Sequence, residues 1–156
     1  MGLAQVSIET VAAQPMAAIA ARTDFAGLPQ TITGGLDKVY AVLRAGDYGP
    51  LGCNTVYYAP GMPMMNLLVG VRLDAPFPGP VGEVVAAETP AGEAVHAVYF
   101  GDYGKMKPAH DAVHAEAARL GRPITGASWE VYGDWSDNPE KLRTDIYYLL
   151  RDPTDG

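Results

Sequence analysis

The sequence predicts an α+β fold made of two strand–helix–strand–strand units in tandem. Three observations predict it. Strand-like and helix-like apolar patterns alternate in the same order in each half of the 156-residue chain. The stretch Gly52-Cys53-Asn54-Thr55-Val56-Tyr57-Tyr58 lies against Gly126-Ala127-Ser128-Trp129-Glu130-Val131-Tyr132 at an offset of 74. The same offset sets Asp37 on Asp111 and Val39 on Val113. Two such units packing their helices on sheet imply a pseudo-twofold axis with a central ligand cleft beside it, since small-molecule sites favour such junctions. One unit is expected over about residues 4–74 and the other over about 82–151. Half a chain of this length buries too little surface to stand comfortably alone, so 1–156 is expected to form a single domain.

The elements follow in order. Val6 to Val11 and Met16 to Arg22 are strands, expected to pair across the Gln14-Pro15 turn. Ile32, Leu36, Val39, Tyr40 and Leu43 recur at helical spacing, which predicts a helix over 28–44. Gly46 and Gly49 end it, and Gly34-Gly35 weakens its first turn. Asn54 to Ala59 and Asn66 to Leu73 are strands joined by a Pro60-Gly61-Met62-Pro63 turn. A Pro/Gly-rich loop from Asp74 to Gly82 opens the second half. There Val84 to Glu88 and Ala94 to Phe100 are strands around Thr89-Pro90. Met106, Ala109, Val113, Ala117 and Leu120 stripe a helix over 105–120, with Gly121 as its stop and Pro123 beyond. Ala127 to Tyr132 and Asp145 to Leu150 close the chain as strands, with a polar loop between them.

Composition narrows the function. Hydrophobic residues at 48% and charged residues at 19% make a folding chain. Eighteen acidic residues against eleven basic ones give a formal charge of −7, a field that repels phosphate backbones and argues against nucleic acid as a partner. The first basic residue is Arg22, so the start has no signal-peptide pattern, and no apolar run approaches the roughly 20 residues of a membrane span. Membrane partners are not expected. The single Cys53 excludes an internal disulfide and fits a reducing, cytoplasmic setting. The sequence carries no signal for the oligomeric state.

The residue with most chemical interest is Glu130. Period-two alternation sets Ser128, Glu130 and Tyr132 on one face of their strand, with Trp129 and Val131 on the other. A carboxylate within an apolar, aromatic strand finds a donor, finds a cation or keeps its proton. The first half has Val56 at the matching position, so the halves differ where a charge would matter. The competing reading is an edge-strand Glu in water or paired with a nearby Lys or Arg. Tyr57, Tyr58, Tyr99, Tyr103, Tyr132, Tyr147 and Tyr148 lie on or beside strands. Tyrosine suits a pocket for planar or cationic molecules, and equally suits a plain sheet. His110 and His114, four apart on a helix, could share a metal with His96, but Asp111 stands where the zinc-protease HExxH motif needs Glu. They are read as a helix flank, and neither a metal nor another cofactor is expected. Cys53 has no evident base to activate it, and neither a phosphate loop nor a GxSxG elbow occurs.

Taken together, Thr89-Pro90-Ala91-Gly92 through Gly101-Asp102-Tyr103, then Ala109-His110, Trp129-Glu130-Val131-Tyr132 and Leu142-Arg143-Thr144-Asp145-Ile146-Tyr147 resemble the GyrI-like small-molecule-binding domain. This is the effector-binding domain of AraC-type and MerR-type multidrug regulators. The first half joins the resemblance through Gln14-Pro15 and the Asn54-to-Tyr58 strand, so nearly the whole chain is covered. The resemblance implies a stand-alone member with a cleft glutamate that attracts lipophilic cations and with aromatic walls. Glu130 matches the glutamate and Tyr147 an aromatic of the last strand; Tyr57, Tyr58, Tyr99, Tyr103 and Trp129 are further candidate ligand-binding residues. Leu149 and Leu150 stand where family members often carry a proline. The expected partner is thus a small organic molecule, lipophilic, planar or cationic. Some stand-alone members are hydrolases that open the cyclopropane ring of DNA-alkylating toxins, which would make Glu130 and Tyr147 the catalytic candidates. Others act as protein-interaction inhibitors without chemistry.

Overall fold

A computed structural model describes residues 2–59 and 65–151. Its elements are β1 (Gly2–Val11), β2 (Pro15–Thr23), α1 (Leu28–Ala45), β3 (Leu51–Ala59), β4 (Met65–Leu73), β5 (Val84–Glu88), β6 (Gly92–Phe100), α2 (Lys107–Arg119), β7 (Ile124–Tyr132) and β8 (Arg143–Leu150). Short 3-10 turns at Tyr103–Lys105 and Pro139–Lys141 lead into α2 and β8. The expected Pro60–Pro63 turn lies outside the described residues. None of the described helices is long and apolar enough to cross a membrane.

The chain divides into two compact units. One is Ala13–Pro90; the other joins the N-terminal stretch through Ala12 to the chain from Ala91 onward. The first carries the strand order β5-β2-β4-β3 with α1 on one face, and the second carries β1-β6-β8-β7 with α2 on one face. All of these pairings are antiparallel. Each unit therefore contains a strand–helix–strand–strand run in the same spatial order, plus one edge strand.

The source of that edge strand corrects an expectation. β1 does not fold back on β2. It pairs with β6, from Gly2↔Phe100 to Val11↔Gly92, while β2 pairs with β4 and β5. The connection explains why. A tight hairpin needs residues at positive φ, typically Asn-Gly, and Ala12-Ala13-Gln14-Pro15 offers none. Proline instead keeps the residue before it extended. Gln14 is then held by Thr89: its N–H donates to Thr89 Oγ1 (3.2 Å) and its carbonyl accepts the Thr89 N–H (3.0 Å).

The helix stripes bury as expected, with two refinements. In α1, Val39 and Leu43 are buried, and so is Gly35. A Cβ on Gly35 would stand 3.1 Å from both Ile19 Cγ2 and Val69 Cγ1, so this glycine marks where helix and sheet approach closely. In α2, Ala109, Val113 and Ala117 are buried, as is Met106 before them, but Leu120 is 41% exposed because the helix ends at Arg119. Gly121, at φ +64°, turns the chain away there, with its N–H on the Ala118 carbonyl and the Arg122 N–H on that of Ala117. The core of this second unit is Val95, Ala97, Tyr99, Ile146 and Leu150 beneath the α2 stripe.

Candidate functional site

The register of β7 against β8 sorts the predicted residues onto two faces. Ser128 opposes Tyr148 and Glu130 opposes Ile146, and Ile146 belongs to the core beneath α2. Trp129 opposes Tyr147, which in turn opposes His96 on β6. Glu130 thus lies on the helix-facing side, and Trp129 and Tyr147 on the other. Trp129 faces away from Glu130, as strand alternation alone sets it, and Tyr147, which the resemblance groups with Glu130, shares the Trp129 face.

On the helix-facing side, Glu130 is 5% exposed. Two donors reach it. The Tyr132 hydroxyl donates to Oε1 (2.7 Å) from the same strand face, and His110 Nε2 stands 2.9 Å from Oε2. His110 comes from α2, one residue past the buried Ala109, so it flanks the apolar stripe and looks down on the sheet. Its other nitrogen, Nδ1, is 2.7 Å from the Tyr148 hydroxyl. Burial, joined by the Glu130 charge, pushes the Tyr148 phenol up to about 12, against a hydrogen bond from Ser128. Tyr148 therefore keeps its proton and donates it to Nδ1, which leaves Nε2–H to donate to the carboxylate. The result is a chain of bonds from Ser128 through Tyr148 and His110 to Glu130.

Aromatic rings close around this chain. Tyr103 meets Tyr132 edge-on at 5.3 Å, and both His110 and His114 meet Tyr148 edge-on. Burial raises the Tyr103 phenol above its ordinary value. Tyr99 shares the face but its hydroxyl donates to the Asp102 carbonyl (3.2 Å), which ties down the turn before α2. Thr144, cross-strand to both Tyr99 and Tyr132, is fully buried, and its hydroxyl has no partner among the described residues.

The opposite face holds a second cluster. The Trp129, Tyr147 and His96 rings stack in parallel, at 5.2 Å and then 4.4 Å between centroids. His96 Nε2 is 3.0 Å from Asp145 Oδ2 and Nδ1 bonds Glu9, while Arg143 Nε donates to Asp145 Oδ1 (2.7 Å). Tyr57 and Tyr58 belong to the other unit. Tyr57 lines a surface groove of about 430 Å³ with Ala20, Arg22, Ala59, Asn66 and Leu68. Tyr58 lies on the alternate side of β3. Among the described residues no group of three or more His, Cys, Asp or Glu could hold a metal ion. His110 and His114 turn to Glu130 and Tyr148 instead.

Two parts of this geometry escaped sequence reasoning. The sequence marks His110 as half of a metal pair, as a helix flank and as part of the Ala109-His110 stretch, and none of these names Glu130 as its partner, although its place beside Ala109 aims it at the sheet. The Glu9–His96–Asp145 cluster draws on three strands whose pairing no local pattern reveals.

No family model and no curated protein matches the chain. Its likeness is to solved structures. The EcmrR C-terminal domain is 17% identical, with 95% of this chain and 98% of that one covered and a TM-score of 0.76. EcmrR was also solved in a DNA complex, and there this chain spans 57% of the EcmrR chain. SAV2435 bound to tetraphenylphosphonium is 15% identical over 95% of this chain and 94% of that one, with a TM-score of 0.67. A hydrolase from Listeria innocua is 11% identical over 94% and 92%, with a TM-score of 0.63. At these identities the likeness is one of fold. The fold is the α+β, GyrI-like one that the sequence resemblance implied.

Proposed function

We propose that the protein binds a lipophilic organic cation, with Glu130 as the counter-charge. The observation that carries this is a carboxylate 5% exposed on a sheet face walled by Tyr103, Tyr132, Tyr148 and His110. A buried carboxylate beside ring faces and edges complements a charge spread over an apolar body, through Coulomb attraction in a low dielectric and through cation–π contact. The tetraphenylphosphonium bound by SAV2435, a protein of the same fold, supports the same class of ligand. The test is calorimetric titration with tetraphenylphosphonium. Glu130→Gln keeps the shape and removes the charge, with one acceptor oxygen retained and the other replaced by a donor NH2. It is expected to weaken binding about 10- to 100-fold, the equivalent of ~1.4–2.7 kcal/mol. Equal affinity in both proteins would sink the acidic-site reading.

A second reading, hydrolysis, is favoured by the bond chain from Tyr148 through His110 to Glu130, which can hold and move a proton at a buried carboxylate. In that reading Glu130 takes a proton from water. The water oxygen bonds a cyclopropane carbon, the ring C–C bond breaks, and its electron pair passes to a conjugated carbonyl that takes up a proton. Incubation with a cyclopropane-bearing alkylator should then yield a product heavier by one water, seen by mass spectrometry and lost in Glu130→Gln. Stoichiometric retention of intact drug counts against turnover and for binding alone.

A further inference from the structure

Resting on the cation-binding reading, we propose that His110 and the ligand are alternative positive charges for Glu130, so that cation binding expels a proton from His110. The geometry carries this. Both Glu130 oxygens hold donors, Tyr132 O–H on Oε1 and His110 on Oε2. A neutral His110 supplies the Oε2 bond through Nε2–H, with Nδ1 accepting from Tyr148. An added proton goes to Nδ1, where the Tyr148 oxygen turns from donor to acceptor. Both forms therefore fit the same atoms, and the difference between them is one charge 2.9 Å from the carboxylate. When His110 is charged, the carboxylate is already neutralised. A second cation brought to the same carboxylate meets repulsion until the imidazole gives up its proton.

The neighbours of His110 on every side support the pairing. On α2 they are Asp111, whose carboxylate is held low by its bond to Lys107, and His114. From β7 come Glu130 and Tyr132, and from β8 comes Tyr148. β1 and β6 pack Val6, Ile8, Val95 and Ala97 beneath α2, all apolar. Glu93, paired with Arg122, is the nearest acid on β6. The arrangement also narrows the ligand. With aromatic rings around the carboxylate, the best complement is a cation whose charge is spread over an apolar body, such as a quaternary ammonium or a phosphonium.

Calorimetry with tetraphenylphosphonium in buffers of low and high ionisation enthalpy counts the protons exchanged. Between about pH 5 and about pH 8, the span in which histidine charge changes, wild type is expected to release up to about one proton per ligand at the acid end and almost none at the alkaline end. Its affinity should rise by up to about tenfold per pH unit on the acid limb and then level off. His110→Gln is expected to bind with no proton release and a flat profile, with circular dichroism reporting its fold. His114→Gln is expected to keep the wild-type profile. Binding without proton exchange at any pH overturns the linkage and leaves the cation site standing. Proton release that survives His110→Gln, or disappears in His114→Gln, also overturns it. No binding by wild type at any pH overturns the cation site and this linkage with it.

Discussion

Trp129→Ala is expected to lower folding stability by about 3–5 kcal/mol, the usual range for a large aromatic removed from a core. Trp129 is 1% exposed, and its ring stacks on that of Tyr147, within 8° of parallel. Tyr147 in turn lies 2° from the His96 ring. Removing the indole opens a cavity on β7 and leaves one end of this stack without a neighbour, and the adjacent strands can close such a gap only in part. Urea denaturation followed by far-ultraviolet circular dichroism measures the loss. Trp135→Ala is the control: that ring is 75% exposed, and its loss should stay within about 0.5 kcal/mol. The experiment also separates two roles for Trp129. A ligand wall would show its effect in tetraphenylphosphonium affinity with stability kept. A loss of stability under about 1 kcal/mol would sink the structural role argued here.

The residues that could be read ahead of the structure are those whose role follows from local periodicity. Val39 and Val113 sit at matching places on the two helix stripes, and both are fully buried. Gly121 stops α2, and Glu130 shares its face with Ser128 and Tyr132, as alternation along one strand requires. What could not be read depends on which strand lies beside which. Gln14-Pro15 suggests a turn, and only the pairing of β1 with β6 brings Glu9 within reach of His96. Tyr147 is grouped with Glu130 through the family resemblance alone, as an aromatic of the last strand. A one-residue difference in register decides the face, and Ile146, not Tyr147, opposes Glu130. The His110 contact falls between these cases. The helix stripe put His110 toward the sheet, but the strand it would meet was a matter of tertiary packing.

His96→Leu is expected to cost about 1–3 kcal/mol near pH 6, because it removes the cation from between two carboxylates, leaving Asp145 with Arg143 alone and Glu9, 44% exposed, facing water and an apolar group. The His96 side chain is 9% exposed, with Asp145 at 18%. Both ring nitrogens bond carboxylate oxygens, so both must donate, which makes the folded ring an imidazolium. Burial alone would lower the His96 pKa, but the bonds to Asp145 and Glu9, with their charges, more than reverse it, and the net shift is upward. For Asp145 burial again opposes, and the bonds to His96 and Arg143 prevail, holding the carboxyl at about 2. The signs then set the pH dependence. A histidine raised on folding contributes fully below its unfolded value of about 6.5, and that contribution is lost as pH rises through the higher folded value. An aspartate held low contributes fully above about 3.9 and loses its contribution as pH falls toward about 2. The cluster should therefore stabilise the second unit most between about pH 4 and about pH 6.5 and weaken on the alkaline side. Urea midpoints of wild type should fall from about pH 6 to about pH 9, and His96→Leu should lose that alkaline slope along with its stability at pH 6. An equal slope in both proteins would assign the alkaline weakening to another group and refute the imidazolium. Because Glu9, His96 and Asp145 lie on β1, β6 and β8, the same charge also ties the N-terminal strand to the unit it joins. Native-state hydrogen exchange of β1 amides should accordingly quicken in His96→Leu more than that of β7.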